Sequence, residues 1–486
     1  MHTQSLAKLI KNLQDKKISS TELVTHYLQR IAKYKNLNAF ISIDEEYALK
    51  KARAADAALL KGNALILTGI PMAHKDIFCT KHLPTTCASK MLENFASPYD
   101  ATIVQRLNNQ GSIMVGKTNM DEFGMGSTGE NSYFGLTKNP WNRNHVTGGS
   151  SSGSVSAVAA RIIPFATTTD TGGSTRQPAA FCGLSGIKPT YGLVSRFGQI
   201  AYASSFDQAG IVTTSVEDLA ITTQVIAGFD KNDSTSVDRK VDDYTKNINN
   251  DLRGLRIGFP TCLFSLEMDD EIYQSLLKSV QIYKELGAEI IEIKLDLMHN
   301  WLPCYHTLAN AEASSNLQRY DGIEFGYRAH NQKNIIDLIS NSRSEGFGDE
   351  VKKRILTGTY ILSSGNIDDY YINAQKVRKL ISNEFNEKLA KVDVILGPTT
   401  PSCAFEIGEH KKNLLKHKLA DTFTVPANLA GLPALALPSG FAKNGLPIGM
   451  QLIGNYFSEK LLFQIGHAYQ MVTDWHKKSP DLGDVE

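Results

Sequence analysis

The sequence contains no CxxC pair. Its six cysteines stand at 79, 87, 182, 262, 304 and 403, scattered too widely for zinc-ligand or redox-disulfide spacing, and no Cys/His cluster offers another metal site. No metal is expected, and reduced buried thiols in a cytoplasmic protein account for the pattern. An excess of either charge is also missing. Lys and Arg number 51 against 50 Asp and Glu, which leaves +1 and no basic footprint for nucleic acid. If RNA is handled, a partner holds it. No apolar run is long enough to span a membrane. The first residues do not read as a targeting leader either. Leu6, Leu9, Ile10 and Leu13 share one helical face in a segment that contains Asp15 and no arginine, as an ordinary first helix does.

What is present is a long chain, 486 residues, with 42% hydrophobic content, enough for a large core. Ser19-Ser20-Thr21-Glu22 is a capping box, followed by Leu23, Tyr27, Leu28, Ile31 and Tyr34 at helical spacing. Ala39–Ile43 reads as a strand, and an Ala-rich helix runs on to about Lys61. Asp100 can cap a helix ending at Gly111, before a strand at Ser112–Val115. Further strands are expected at Phe165–Thr169, Leu255–Phe259, Val392–Leu396, Ala434–Leu437 and Met450–Ile453. This alternation predicts an α/β fold with a large mixed, mainly parallel β-sheet covered on both faces by helices. A single domain over 1–486 is expected. The polar stretch at about 230–250 reads as a surface excursion, because candidate site residues lie on both sides of it.

Three familiar patterns fail on context. Gly111-Ser-Ile-Met-Val-Gly116-Lys117-Thr118 fits a phosphate loop, but Ile113, Met114 and Val115 read as the strand itself rather than a turn. Gly149-Ser150-Ser151-Ser152-Gly153 fits a nucleophile elbow, yet a Pro- and Asn-rich loop precedes it where a strand is required. Ser185-Gly186-Ile187-Lys188 fits S-x-x-K, but Gly186 and Pro189 oppose the helix that motif needs.

Two Gly/Ser-rich segments remain. One is Thr147-Gly-Gly-Ser-Ser-Ser-Gly-Ser154, leading into the small-residue helix of Val155–Ala160. The other is Asp170-Thr-Gly-Gly-Ser174, directly after a strand. Consecutive glycines let several N–H groups converge on one point, so Ser174 is a candidate nucleophile with oxyanion donors from Thr171, Gly172, Gly173 and Ser174. A serine needs a base. His74 and His145 are available. So is Lys75, which sits among apolar neighbours that would favour its neutral amine.

Gly148-Gly-Ser-Ser-Ser-Gly-Ser154 together with Asp170-Thr-Gly-Gly-Ser174 resembles the amidase signature, and the spacings 75 to 150 and 150 to 174 are similar to that family's triad. The resemblance implies an amidase-signature fold, with Lys75 as base, Ser150 as a bridging serine entered by a cis peptide bond, and Ser174 as nucleophile. Ser152 stands where the usual pattern has glycine; a positive φ there would carry a small cost.

The resemblance extends over nearly the whole chain and is strongest to the tRNA-dependent amidotransferase branch. It is carried by Gly116-Lys-Thr-Asn-Met-Asp-Glu-Phe123, Ala311–Gly322, Glu350–Tyr360 and Asp421–Pro433. It implies a glutamine pocket in which Arg354 meets the carboxylate through its planar fork, Asp421 meets the ammonium and Tyr305 lines the wall. It further implies a heterotrimer. Ammonia made here would pass to a B subunit that uses ATP and Mg to convert Glu-tRNA(Gln) to Gln-tRNA(Gln) and makes the main tRNA contacts. A small C subunit would hold the assembly together, and this chain would need no cofactor. The other readings are a free-standing amidase of simple amides and an inactive scaffold subunit. The intact triad opposes the second, and Arg354 with Asp421 opposes the first.

Overall fold

A computed structural model describes residues 1–409 and 419–483. Eleven strands form one sheet. They are β1 (Phe40–Ile43), β2 (Pro71–Lys75), β3 (Ile113–Thr118), β4 (Ala166–Asp170), β5 (Ser185–Lys188), β6 (Gln208–Thr213), β7 (Arg256–Pro260), β8 (Glu289–Ile293), β9 (Val394–Pro398), β10 (Ala434–Phe441) and β11 (Pro447–Gly454). Their spatial order is β1-β3-β2-β4-β6-β5-β10-β11-β9-β7-β8.

Both faces of this sheet are covered. Met72, Met114 and Ile187 belong to one hydrophobic cluster, while Ala73, Ile113, Val115 and Val212 belong to another. Neighbours along a strand thus fall into different clusters, as the two-residue period of a buried strand requires. The sheet's edges are marked by exposure. Glu289 and Glu292 of β8 are exposed at one end of the order, charges that discourage further strand pairing.

The sheet is mixed as expected, but parallel pairing does not dominate it. Among the described residues six ladders are antiparallel and four parallel. The helix-linked strands β2, β3 and β4, and β7, β8 and β9, supply the parallel pairs. The middle of the sheet is antiparallel, because β10 and β11 form a hairpin and β5 and β6 are joined by a loop without a crossover helix. β2, β5, β6 and β8 carry too little periodic signal to be read as strands beforehand. Asp100 does not cap the helix Thr102–Asn109. Ala101 is its N-cap, and the Asp100 carboxylate accepts the N–H of Lys81 at 2.7 Å. The capping box is present, with Ser19 and Glu22 each accepting the other's backbone N–H. Residues 230–250 form neither helix nor strand, and Tyr244 and Ile248 bury their side chains from that stretch.

The apparent phosphate-loop lysine is a structural cation. Lys117 lies in β3, fully buried, 2.9 Å from the equally buried Asp76. It also donates to the Phe78 carbonyl and to Thr85, each at 3.0 Å. The Lys117→Ala substitution strands the Asp76 carboxylate, and a loss of about 3–5 kcal/mol of unfolding free energy is expected in denaturant titration. A loss below about 1 kcal/mol, the range of an exposed ion pair, would mean that water compensates the carboxylate.

Candidate active site

β2 and β4 are parallel neighbours, so their carboxyl ends open on the same side of the sheet, where α/β proteins place ligand sites. Lys75 is the last residue of β2, and Asp170 the last of β4. Between them comes the Gly/Ser-rich turn, running into the helix Ser152–Ala159. That helix is pinned to the sheet by hydroxyls. Ser154 Oγ donates to the Thr167 carbonyl at 2.8 Å and lies 2.7 Å from Thr118 Oγ1. The Gly149–Ser150 peptide is cis. Ser152 opens the helix and is not among the residues with positive φ, so the expected cost of serine at that position does not arise.

Lys75 is fully buried. Its Nζ donates to Ser150 Oγ at 2.8 Å, Ser151 Oγ at 3.0 Å and Thr169 Oγ1 at 2.7 Å. These three partners are neutral hydroxyls, and none of its bonds goes to a carboxylate. Burial therefore dominates and draws the ammonium pKa down to about 7, against the weaker opposing pull of Asp121, Asp170 and Asp207. His74, the neighbouring alternative, is also fully buried, and burial pulls it down to about 3. Its ring reaches Thr167 at 3.3 Å rather than either serine.

Ser174 sits in the turn that follows β4, 9% exposed and thus reachable from outside. Its hydroxyl has no hydrogen-bond partner among the described residues, whereas Lys75 and Ser150 are bonded to each other. The turn is held from both ends. Asp170 accepts a two-pronged bond from Arg176, at 3.0 Å through Nε and 3.0 Å through Nη2. Asn428 Nδ2 adds a bond to the same carboxylate at 2.9 Å. On the other side Thr171 Oγ1 donates to Asp207 at 2.6 Å.

The oxyanion expectation needs one correction. The Gly173 N–H donates to Asp170 Oδ1 at 2.9 Å and is committed there. The amides of Thr171, Gly172 and Ser174 carry no hydrogen bond among the described residues. Gly172 has a second reason to be glycine, since a Cβ there would strike the Tyr305 ring.

Arg354 and Asp421 line one cavity of about 920 Å³. Ser174 and Tyr305 do not line it; the link is Thr424, whose Oγ1 bonds the Gly172 carbonyl at 2.6 Å and the Asp421 carbonyl at 3.0 Å. Arg354 Nε donates to Glu350 at 2.9 Å and Nη1 to the Tyr202 hydroxyl at 2.6 Å, and its Nη2 has no bond among the described residues. Burial alone would make this guanidinium easier to deprotonate, but Tyr202 and Glu350 more than offset it. Burial pushes the Asp421 carboxyl up to about 6, although Ser127 donates to it at 2.5 Å.

Sequence reasoning passed over Tyr202, Asp207, Arg176 and Asn428. Asp170 had a readable signal, because an aspartate before a Gly-Gly turn commonly accepts that turn's own amides. Tyr202 and Asp207 had none, since only the fold brings Asp207 to the turn and Tyr202 to Arg354.

The Amidase family model matches residues 22–463, and the chain belongs to that family, the one with the amidase signature. It is an amidase-signature enzyme. Among curated relatives, the A subunit of glutamyl-tRNA(Gln) amidotransferase from Legionella pneumophila (strain Paris) is 58% identical over 481 residues, 99% of each chain. The protein of the same name from Coxiella burnetii (strain Dugway 5J108-111) is 54% identical over 483 residues, covering 99% of this chain and 100% of that one. The crystal structure of the corresponding glutamyl-tRNA(Gln) amidotransferase protein from Thermotoga maritima, again the A subunit, superposes with a TM-score of 0.82 at 38% identity, covering 98% of each chain. The peptide amidase of Stenotrophomonas maltophilia gives a TM-score of 0.82 at 31% identity, covering 96% of each.

The Gly172→Ala substitution tests the turn geometry. The added methyl must displace Tyr305 or the turn, and a misplacement of about 1 Å is enough to lower reactivity about a hundredfold. Labelling of Ser174 by a fluorophosphonate, followed by mass spectrometry, should slow by that order while the melting temperature stays within a few degrees. Unchanged labelling would mean that the turn's contact with Tyr305 is not what fixes its geometry.

Proposed function

We propose that this chain is the glutaminase subunit of a tRNA-dependent amidotransferase, working in the cytoplasm as part of a heterotrimer with B and C subunits. What supports this most is that Arg354 and Asp421, a cation and an anion, line one cavity that Thr424 links to the turn bearing Ser174. Glutamine presents a carboxylate and an ammonium to match them, whereas a simple amide has neither. The curated relatives' shared name points the same way.

In this mechanism neutral Lys75 accepts a proton from Ser150, which takes one from Ser174, and Lys75 later returns its proton to Ser150 as Ser150 protonates the departing nitrogen. Ser174 Oγ then bonds to the side-chain carbonyl carbon of glutamine. The free amides of Thr171, Gly172 and Ser174 receive the oxyanion. Ser150 returns a proton to the departing nitrogen, the C–N bond breaks and ammonia leaves. Water hydrolyses the glutamyl ester and releases glutamate. ATP and Mg belong to the B subunit, which activates Glu-tRNA(Gln) and receives the ammonia; this chain needs no cofactor.

Lysine must be neutral to act as the base. Activity should therefore hold above about pH 7 and fall below it. The fluorophosphonate labelling rate isolates this step from the glutamine pocket, and it should drop about tenfold per unit below pH 7. Lys75→Ala and Ser174→Ala should abolish glutamine hydrolysis, and Ser150→Ala should leave at most a trace. A pH-independent labelling rate, or near-normal turnover by Lys75→Ala, would overturn the lysine-base assignment.

The role as ammonia source is tested in the assembled complex with Ser174→Ala. Given ATP, Glu-tRNA(Gln) and glutamine, no Gln-tRNA(Gln) should form. High ammonium chloride should restore amidation to the wild-type ammonium-dependent rate. If the wild-type complex amidates tRNA with neither donor, a free-standing amidase is the better account.

A further inference from the structure

Glu122 is buried, only 5% exposed, and takes no part in the proton relay or the oxyanion site. It follows Asp121, whose carboxylate accepts the amides of Gly129 and Asn131 at 3.1 and 3.0 Å and fills the space beside Gly149, the residue before Ser150. Glu122 reaches across the fold. Its Oε2 accepts the N–H of Gly348 at 2.8 Å, from a residue 226 positions later in the chain. Its Oε1 accepts the Ser89 hydroxyl. Gly348 is the N-cap of the helix Asp349–Ile361, which carries Arg354.

That N-cap has no side chain to cap its own helix. A Cβ at 348 would collide with Glu122 Oε2, so the glycine leaves room for an acceptor from elsewhere. A carboxylate there also meets the positive end of the helix dipole. We propose that Glu122 is a positioning residue for glutamine: its carboxylate docks the start of the Arg354 helix onto the segment that supports Ser150, and so fixes where the arginine fork meets the substrate. This rests on the glutamine reading of Arg354 and deepens it.

Burial pushes the Glu122 carboxyl up to about 7; Ser89, Gly348 and Lys352 oppose the rise, and Asp349 adds to it. Lys90 and Glu345 line the same cavity. The docking carboxylate is therefore charged above about pH 7 and neutral below. A neutral acid is the weaker acceptor, so its grip on Gly348 loosens as pH falls.

The test uses the full chain with Ser174→Ala, so that bound glutamine is not consumed, and measures glutamine Kd by calorimetry at pH 8.5 and pH 6. Adding Glu122→Gln should weaken binding about tenfold at pH 8.5, the size of a lost charge-assisted bond. At pH 6 the two proteins should bind alike, because Glu122 is then already neutral. With Ser174 intact, Glu122→Gln should raise KM and leave kcat within about twofold. Equal affinity at pH 8.5 overturns the proposal. So does a constant ratio at both pH values, which a merely structural contact would give. If Glu122→Gln does not fold, Glu122→Asp takes its place. It keeps the charge on a shorter arm and should weaken binding at pH 8.5, and parent-like affinity there overturns the proposal. Arg354→Ala is the control. If it leaves glutamine affinity unchanged, the pocket reading fails and this proposal fails with it; if it weakens binding while Glu122→Gln does not, only this proposal fails.

Discussion

The buried pair of Asp170 and Arg176 is the constraint on which the site depends. Both side chains are fully buried, and such a pair is stable only when its remaining hydrogen bonds are satisfied. Here they are. Arg176 spends its other donors on Gln451 Oε1 at 2.8 Å, Asn428 Oδ1 at 2.7 Å and the Thr424 carbonyl at 3.0 Å. Asp170 takes the Gly173 amide as well as the guanidinium. One ion pair thus closes the turn that carries Ser174 and clamps it to the helix Val425–Ala430 and to β11. The two halves of the chain meet at this point.

That clamp explains how a flexible composition yields a fixed geometry. A Thr-Gly-Gly-Ser turn has little packing of its own. Asp207 holds it through Thr171, Thr424 through the Gly172 carbonyl, and Asp170 through Gly173. Three amides are left over, and they are the ones an oxyanion can use. A rigid shell around a small set of unspent donors is what electrostatic preorganisation requires.

Lys75 depends on the same packing in another way. Its low pKa comes from burial, and burial is possible because three hydroxyls accept its hydrogens without adding negative charge. A carboxylate in place of Thr169 would hold the ammonium charged. The nearby acids Asp121, Asp170 and Asp207 are instead occupied by backbone amides, hydroxyls and Arg176.

The sequence by itself determined the α/β class, the capping box of the second helix, five of the later strands to within a few residues, and the two Gly/Ser-rich turns. Those features are local: hydrophobic period, cap chemistry and glycine doublets act within about ten residues. It also held enough to reject the phosphate loop, because three consecutive apolar residues at 113–115 belong to a strand whatever surrounds them. Only the tertiary structure decided the rest. β2 reads as no strand, because its burial on both faces comes from neighbours at 113–118 and 166–170, so only the fold shows Lys75 at a strand end. The balance of antiparallel pairing depends on which strands meet in the middle of the sheet, which no local pattern encodes. The commitment of Gly173 to Asp170, the linking of Asp421 to the turn through Thr424, and the reach of Glu122 to Gly348 across 226 residues are all contacts that the local pattern leaves open. Their energies exist only once the chain has closed around them.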